Sequence, residues 1–171
     1  MNRPRLVPRI LWILVGASMG MTIALLLAGP STSPFLLASL GGSAVFLFGL
    51  TRAPAAQPRS LFGGHLGAAF IGIACYQAFG DALWVYVLAQ TVALCLMLAT
   101  RTVHPPAGAN AILMVHVHAS WAVLLHPVLA GVTSLALVAV VWSRLYPKLV
   151  HYPVSWVEPN PAWMLWGGWD R

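Results

Sequence analysis

Four long runs without a charged residue limit what this chain can fold into. No Asp, Glu, Lys or Arg occurs from Ile10 to Thr51 (42 residues), Ser60 to Gly80 (21), Ala82 to Thr100 (19) or Thr102 to Ser143 (42). A helix needs about 20 mainly apolar residues to cross a bilayer. The two middle runs are therefore one span long, and the two outer runs are two spans long with a turn inside each. Only 7% of the residues are charged and 60% are hydrophobic. That excludes a soluble globule, in which about 25% are charged. It also excludes a disordered chain, which needs low hydrophobicity and high charge. The formal charge of +6 is strung between apolar runs and not gathered on one polar face, so it argues for a membrane and against nucleic acid.

Turn chemistry divides the outer runs at Gly29-Pro30-Ser31-Thr32-Ser33-Pro34 and, more weakly, at His116–Ser120. Six hydrophobic segments result: 10–28, 35–50, 61–79, 83–100, 105–117 and 121–146. The second and fifth are short, and proline precedes or opens each of them, which predicts irregular backbone followed by a half-length helix. The expected fold is all-α and polytopic. With six crossings and a cytoplasmic N-terminus, Arg3, Arg5, Arg9, Arg52, Arg59, Arg101, Arg144 and Lys148 all fall inside, as the positive-inside rule requires. The alternative has four full spans and two re-entrant segments, and puts Arg52 and Arg59 outside. Trp12, Trp84, Trp121, Trp142 and Tyr146 fall near span ends, where an aromatic belt belongs. The first segment is longer than a signal-peptide core and reads as a retained helix. Residues 1–9 form a basic cytoplasmic start, 10–149 the membrane domain and 150–171 a Trp/Pro-rich cytoplasmic tail. The membrane is expected to be the cell (inner) membrane.

The two short segments resemble each other. Leu40-Gly41-Gly42-Ser43-Ala44 lines up with Ala107-Gly108-Ala109-Asn110-Ala111. Each short segment is second in a group of three, so residues 10–80 and 82–149 read as two inverted repeats. Paired Gly/Pro-interrupted segments of this kind mark the binding site of secondary transporters, near mid-depth. Free N–H groups at a helix start carry partial positive charge and favour an anion. Gly41, Gly42, Ser43, Gly108 and Asn110 are therefore candidate substrate-binding residues. The competing explanation is that the small residues only let helices pack closely. Asn110 fits that explanation least, because an amide in hydrocarbon needs a partner.

Thr100-Arg101-Thr102-Val103-His104-Pro105-Pro106 is the most distinctive stretch. Two prolines remove two donors and push the preceding residues out of helix. Such backbone survives at membrane depth only where protein or water covers it. His104, Pro105 and Pro106 thus join the candidate site, with Arg101 and Arg59 at its mouth attracting an anion. His104 and His65 are candidates for proton coupling, since histidine titrates near neutral pH. Alternatively, they satisfy backbone carbonyls freed by the irregular segments.

The TRTVHPPAGANA stretch, together with SLGGSAVFLFG at 39–49 and AQPRSLFGGH at 56–65, resembles the HPP family of integral membrane proteins. The resemblance spans residues 10–150. It implies a small multi-span protein, usually described with four transmembrane helices, some of whose members are associated with nitrite transport. Asn110 stands where that family's commoner pattern has Thr or Ser. On this footing the chain is expected to be a transporter or channel for a small solute, most of all a small inorganic anion such as nitrite. It is expected not to be an enzyme and to need no cofactor, with the lipid bilayer, a small anion and further copies of itself as partners and no nucleic acid. A non-transporting sensor or scaffold subunit is the alternative. A histidine-based metalloenzyme using His104, His116, His118 and His126 is a more distant one. Three acids in the whole chain leave carboxylate catalysis little room. Cys75 and Cys95 read as small apolar residues inside spans rather than a disulfide.

Overall fold

The computed structural model describes residues 6–28, 38–146 and 149–165. All regular structure among them is helical. Helix α1 is Leu6–Ala28 and α2 is Ala38–Ala44, which runs on into a π turn at Val45–Gly49. Helix α3 is Pro58–Phe79 and α4 is Leu83–Thr100. A 3₁₀ turn at Pro105–Ala107 leads into α5, Gly108–His116, and a π turn at Leu124–Leu129 leads into α6, Ala130–Leu145. Four helical stretches are long and apolar enough to cross a membrane: Leu6–Leu27, Pro58–Phe79, Leu83–Thr100 and Leu124–Leu145. At 18 to 22 residues each, they measure about 27–33 Å, the thickness of the hydrocarbon core. The nine-residue α5 reaches only about 14 Å.

Local chemistry explains the boundaries. Pro58 opens α3 at a position whose N–H no helix uses. Gly80 ends it at φ 76°, a conformation that side chains resist. Arg101 closes α4 in the left-handed region, and the two prolines after His104 keep the next residues out of helix. Segment 121–146 is not one continuous helix, because His126, before Pro127, has extended backbone (φ −142°, ψ 117°). A residue preceding proline is driven to that region.

The helices pack as two groups. Ala24 of α1, Leu40 and Leu47 of the α2 segment, and Val132 and Leu135 of α6 share one core. Ala68 and Cys75 of α3, Ala89 and Ala93 of α4, and Ala111 and Val115 of α5 share another. A seam of small residues on α3 makes the second group tight. Ser60, Gly64, Ala68 and Gly72 repeat every fourth residue, so they line one face. A Cβ at Gly72 would strike the Ala111 carbonyl and sit 2.8 Å from Met114 Cβ. Only glycine lets α5 lie that close.

Both short segments carry the chain from one end of the bundle to the other. Leu27 at the end of α1 accepts a hydrogen bond from His126. Leu50 and Arg52 instead border Ile13 and Leu149 at the opposite end. Likewise Thr102 follows the end of α4, whereas Ala119, after α5, accepts a hydrogen bond from Gln77 near the far end of α3. The bundle thus combines four full-length helical stretches with two half-length ones, each on a stretch of chain whose two sides reach opposite ends. The two half-length helices pack differently: α5 is wedged between α3 and α4, while α2 touches α1 and α6 more sparsely.

All basic residues within the described segments lie at one end, here called the basic end. Arg9 lies in the first turns of α1. Arg52 borders Ile13, Arg59 donates to the Thr100 carbonyl, Arg101 to the Asn160 carbonyl and Arg144 to the Tyr152 carbonyl. Trp142 stacks on Trp12 there, with centroids 4.2 Å apart, and Tyr146 lies tilted against Trp12 at 5.2 Å. Asp81 occupies the opposite end. Arg3, Arg5, the 29–34 turn including Pro34, Lys148, Trp166 and Trp169 lie outside the described residues.

Candidate functional site

Where α2, α3 and α5 meet, four polar side chains from distant parts of the sequence come together. Ser43 of α2, His65 of α3, His104 before the 3₁₀ turn and Asn110 of α5 are all buried, His65 and His104 fully. The seam on α3 admits them: a Cβ on Gly64 would lie 2.9 Å from that of His104 and 3.2 Å from that of Ala107. His104 reaches the cluster because the two prolines hold its backbone extended (φ −131°, ψ 99°). His65 lies seven residues into the 22-residue α3, about 11 Å along it. The cluster is therefore about a third of the way in from the basic end, shallower than the mid-depth the repeat suggests.

Ser43 Oγ is the hub. It lies 2.7 Å from His65 Nε2 and 2.8 Å from His104 Nε2, and 3.1 Å from the Ser39 carbonyl one turn earlier. The other ring nitrogens have partners as well. His104 Nδ1 is 2.6 Å from the Ala55 carbonyl, and His65 Nδ1 is 2.9 Å from Asn110 Nδ2. Asn110 Oδ1 accepts from Ser39 Oγ at 2.5 Å, while its Nδ2 also approaches the His65 carbonyl at 3.3 Å.

Those partners dictate where the protons are. A carbonyl only accepts, so His104 carries a proton on Nδ1. Asn110 must point its amide nitrogen at His65, because its oxygen there would face the His65 carbonyl. His65 Nδ1 therefore accepts, and Nε2 carries the proton. With both rings neutral, His65 Nε2 donates to Ser43 Oγ, and Ser43 donates to His104 Nε2. The result is two neutral imidazoles of opposite tautomer with every ring nitrogen paired. Phe46 closes one side, 5.5 Å from the His104 ring.

Of the sequence-derived candidates, Ser43, His65, His104 and Asn110 are brought together. Gly42 and Pro106 pack against each other beside them, a Cβ on Gly42 falling 3.0 Å from the Pro106 ring. Pro105 is exposed. Gly41 faces outward with open space around it, and Gly108 faces Gln90 of α4, so neither touches the cluster. The side-chain donors of Ser43 and Asn110 face the histidines in this structure. Arg59 and Arg101 sit at the basic end, above the cluster.

Three participants escaped the sequence reading. Ser39 is four residues before Ser43, hence on the same helical face, and that spacing was the signal available. Gln57 sits in the AQPR block. Its amide donates to the Thr51 and Ala53 carbonyls and accepts from Val154 and Ser155. Asn160 is buried in the tail, where it donates to the Arg101 carbonyl (3.0 Å) and Ser60 Oγ (2.9 Å) and accepts from Val103 N–H and Arg101 Nε. The tail folds back over the segment that leads to His104. Trp163 points away from it, largely exposed.

The remaining histidines stay apart from the cluster. His118 bonds Asp81 at 2.7 Å and stacks on Tyr76, while His126 bonds Leu27. Among the described residues, no three His, Cys, Asp or Glu side chains converge as metal ligands would.

An all-helical bundle with four membrane-length stretches and a buried histidine cluster defines a polytopic membrane protein. The family model for the HPP transmembrane region matches residues 2–153, and the chain belongs to that family. It is similar to two transmembrane proteins of Dictyostelium discoideum. One is 33% identical over 135 residues, covering 71% of this chain and 42% of the relative. The other is 34% identical over 129 residues, covering 71% and 45%. The chain spans less than half the length of these relatives. No solved structure matches it significantly.

Proposed function

We propose that the protein carries a small solute across the membrane, foremost a small inorganic anion such as nitrite, and does not transform it. The observation that supports this is the buried Ser43–His65–His104–Asn110 cluster where the two half-length helices meet. Ionisable groups inside a membrane bundle are costly to keep and characteristically serve substrate or proton pathways. The helices that meet there are the broken kind that transporters use at their binding sites. Closure of the cluster favours a carrier that alternates between states over an open channel. Arg59 and Arg101 would draw an anion to the basic end. By the positive-inside rule that end, with both termini, faces the cytoplasm of the cell (inner) membrane. The apolar, largely exposed outer face of α1 suits lipid or a second copy of the chain, and a homo-oligomer is part of this reading.

The test is nitrite flux into proteoliposomes holding wild type, His104→Ala or no protein, with and without a proton gradient. Protein-dependent uptake lost in His104→Ala is the expected result. Folded wild type that moves none of nitrite, nitrate, formate or chloride would refute an anion carrier and turn attention to a sensor or scaffold subunit.

A further inference from the structure

The hub serine has one partner more than a neutral cluster uses. Ser43 has one hydroxyl proton and three neighbours that could take part: His65 Nε2, His104 Nε2 and the Ser39 carbonyl. In the neutral arrangement the hydroxyl accepts from His65 and donates to His104, so the Ser39 carbonyl receives nothing from it. If the hydroxyl turns toward Ser39, the lone pair on His104 Nε2 is released. A proton can then bind there and donate to Ser43 Oγ, which goes on accepting from His65. One proton enters, one hydroxyl rotates, no heavy atom moves, and no donor or acceptor is left unmatched.

His65 has no such option. A second proton would have to bind its Nδ1, which faces the amide nitrogen of Asn110, donor against donor. Turning that amide over would set Oδ1 against the His65 carbonyl. Once His104 is charged, a proton on His65 would also place two cations on rings whose centroids are 5.1 Å apart. The surroundings hold nothing that would offset this. The α2 segment contributes Ser39, Ser43 and Phe46, α5 contributes Asn110, and the chain before α3 contributes a carbonyl. Among the described residues, the one titratable group facing each imidazole is the other imidazole.

We infer that the cluster is a one-proton site: His104 Nε2 binds the proton, Ser43 is the rotating switch that admits it, and His65 stays neutral as a fixed donor that positions Ser43. Coupling of this proton to solute movement rests on the carrier reading, whereas its binding does not.

Nitrogen-15 histidine spectra of the full chain in nanodiscs test this directly. At neutral pH, His104 should carry its proton on Nδ1 and His65 on Nε2. On acidification His104 should gain a second proton while His65 keeps its tautomer. Identical tautomers, or charging of His65 first, would overturn the assignment. With Ser43→Ala, the His104 signal should stop titrating over the pH range in which the wild type titrates, and Ser43→Thr should restore it. Titration unchanged in Ser43→Ala would remove the switch. The wild-type spectra stand even if a variant fails to fold. Absence of nitrite flux with these spectra intact would remove the carrier reading and keep the proton site. Flux with the wrong tautomers would do the reverse.

Discussion

Two histidine contacts in this molecule have nearly the same length and opposite characters. Ser43 lies 2.7 Å from His65 inside the bundle, and His118 lies 2.7 Å from Asp81 at the end away from the arginines. The inner contact is dry and belongs to a network that leaves no ring nitrogen unpaired. The outer pair is wet, with side chains 53% and 40% exposed. Water competes for the outer partners and makes them replaceable. It cannot reach the inner ones, so loss of any member strands the others. Length alone therefore says little about what a contact contributes, and burial with complete pairing says much more.

The comparison can be broken by substitution. His104→Ala should cost most, about 3 kcal/mol, because it leaves the buried Ala55 carbonyl without a partner and opens a cavity beside Ser43. Thermal or denaturant unfolding in detergent would measure it. Asn110→Ala should cost about 2 kcal/mol by stranding His65 Nδ1 and Ser39 Oγ. A loss no larger than that of an exposed alanine substitution would mean that the network is not closed. In a double-mutant cycle, Ser43→Ala with His104→Ala should show coupling of about 1 kcal/mol or more. The same cycle on Asp81 and His118 should fall within the scatter of the method.

The outer pair should still leave a mark on pH dependence. Hydrogen bonds from His118 and then Tyr86 hold the Asp81 carboxyl below the usual carboxylate range. Since the folded value is the lower one, the contribution is present above the ordinary carboxylate value and is lost as pH falls through the depressed one. Wild type and Asp81→Asn should therefore differ slightly in melting temperature at pH 7 and converge in strong acid. A gap that widened with acid would contradict the assignment.

The helical framework was legible because charge is so expensive in hydrocarbon that its absence marks spans. The half-length helices were legible because Pro105, Pro106 and the glycines interrupt them. What stayed hidden depended on rotation and on long-range return. Gly41 and Gly108 belong to the right segments but face away from the cluster, and no spacing fixes how a short helix turns about its axis. Ser39 could have been found from Ser43 by helical periodicity. Asn160 could not, because nothing in Pro159-Asn160-Pro161 tells that the tail folds back 59 residues to bond Arg101. The break at His126 was written in the sequence as His-Pro, yet the apolar run around it masked the proline.

The depth of the cluster has an electrical consequence. A bilayer laid over these helices drops its voltage across the same hydrocarbon thickness. A positive charge held at His104 has crossed about a third of it from the basic end, worth about 0.8 kcal/mol at 100 mV. The remaining two thirds is worth about 1.5 kcal/mol to a charge arriving from the other side. Occupancy of such a site responds to membrane voltage even with pH held equal on both faces, and the asymmetry gives the two directions of travel different electrical costs.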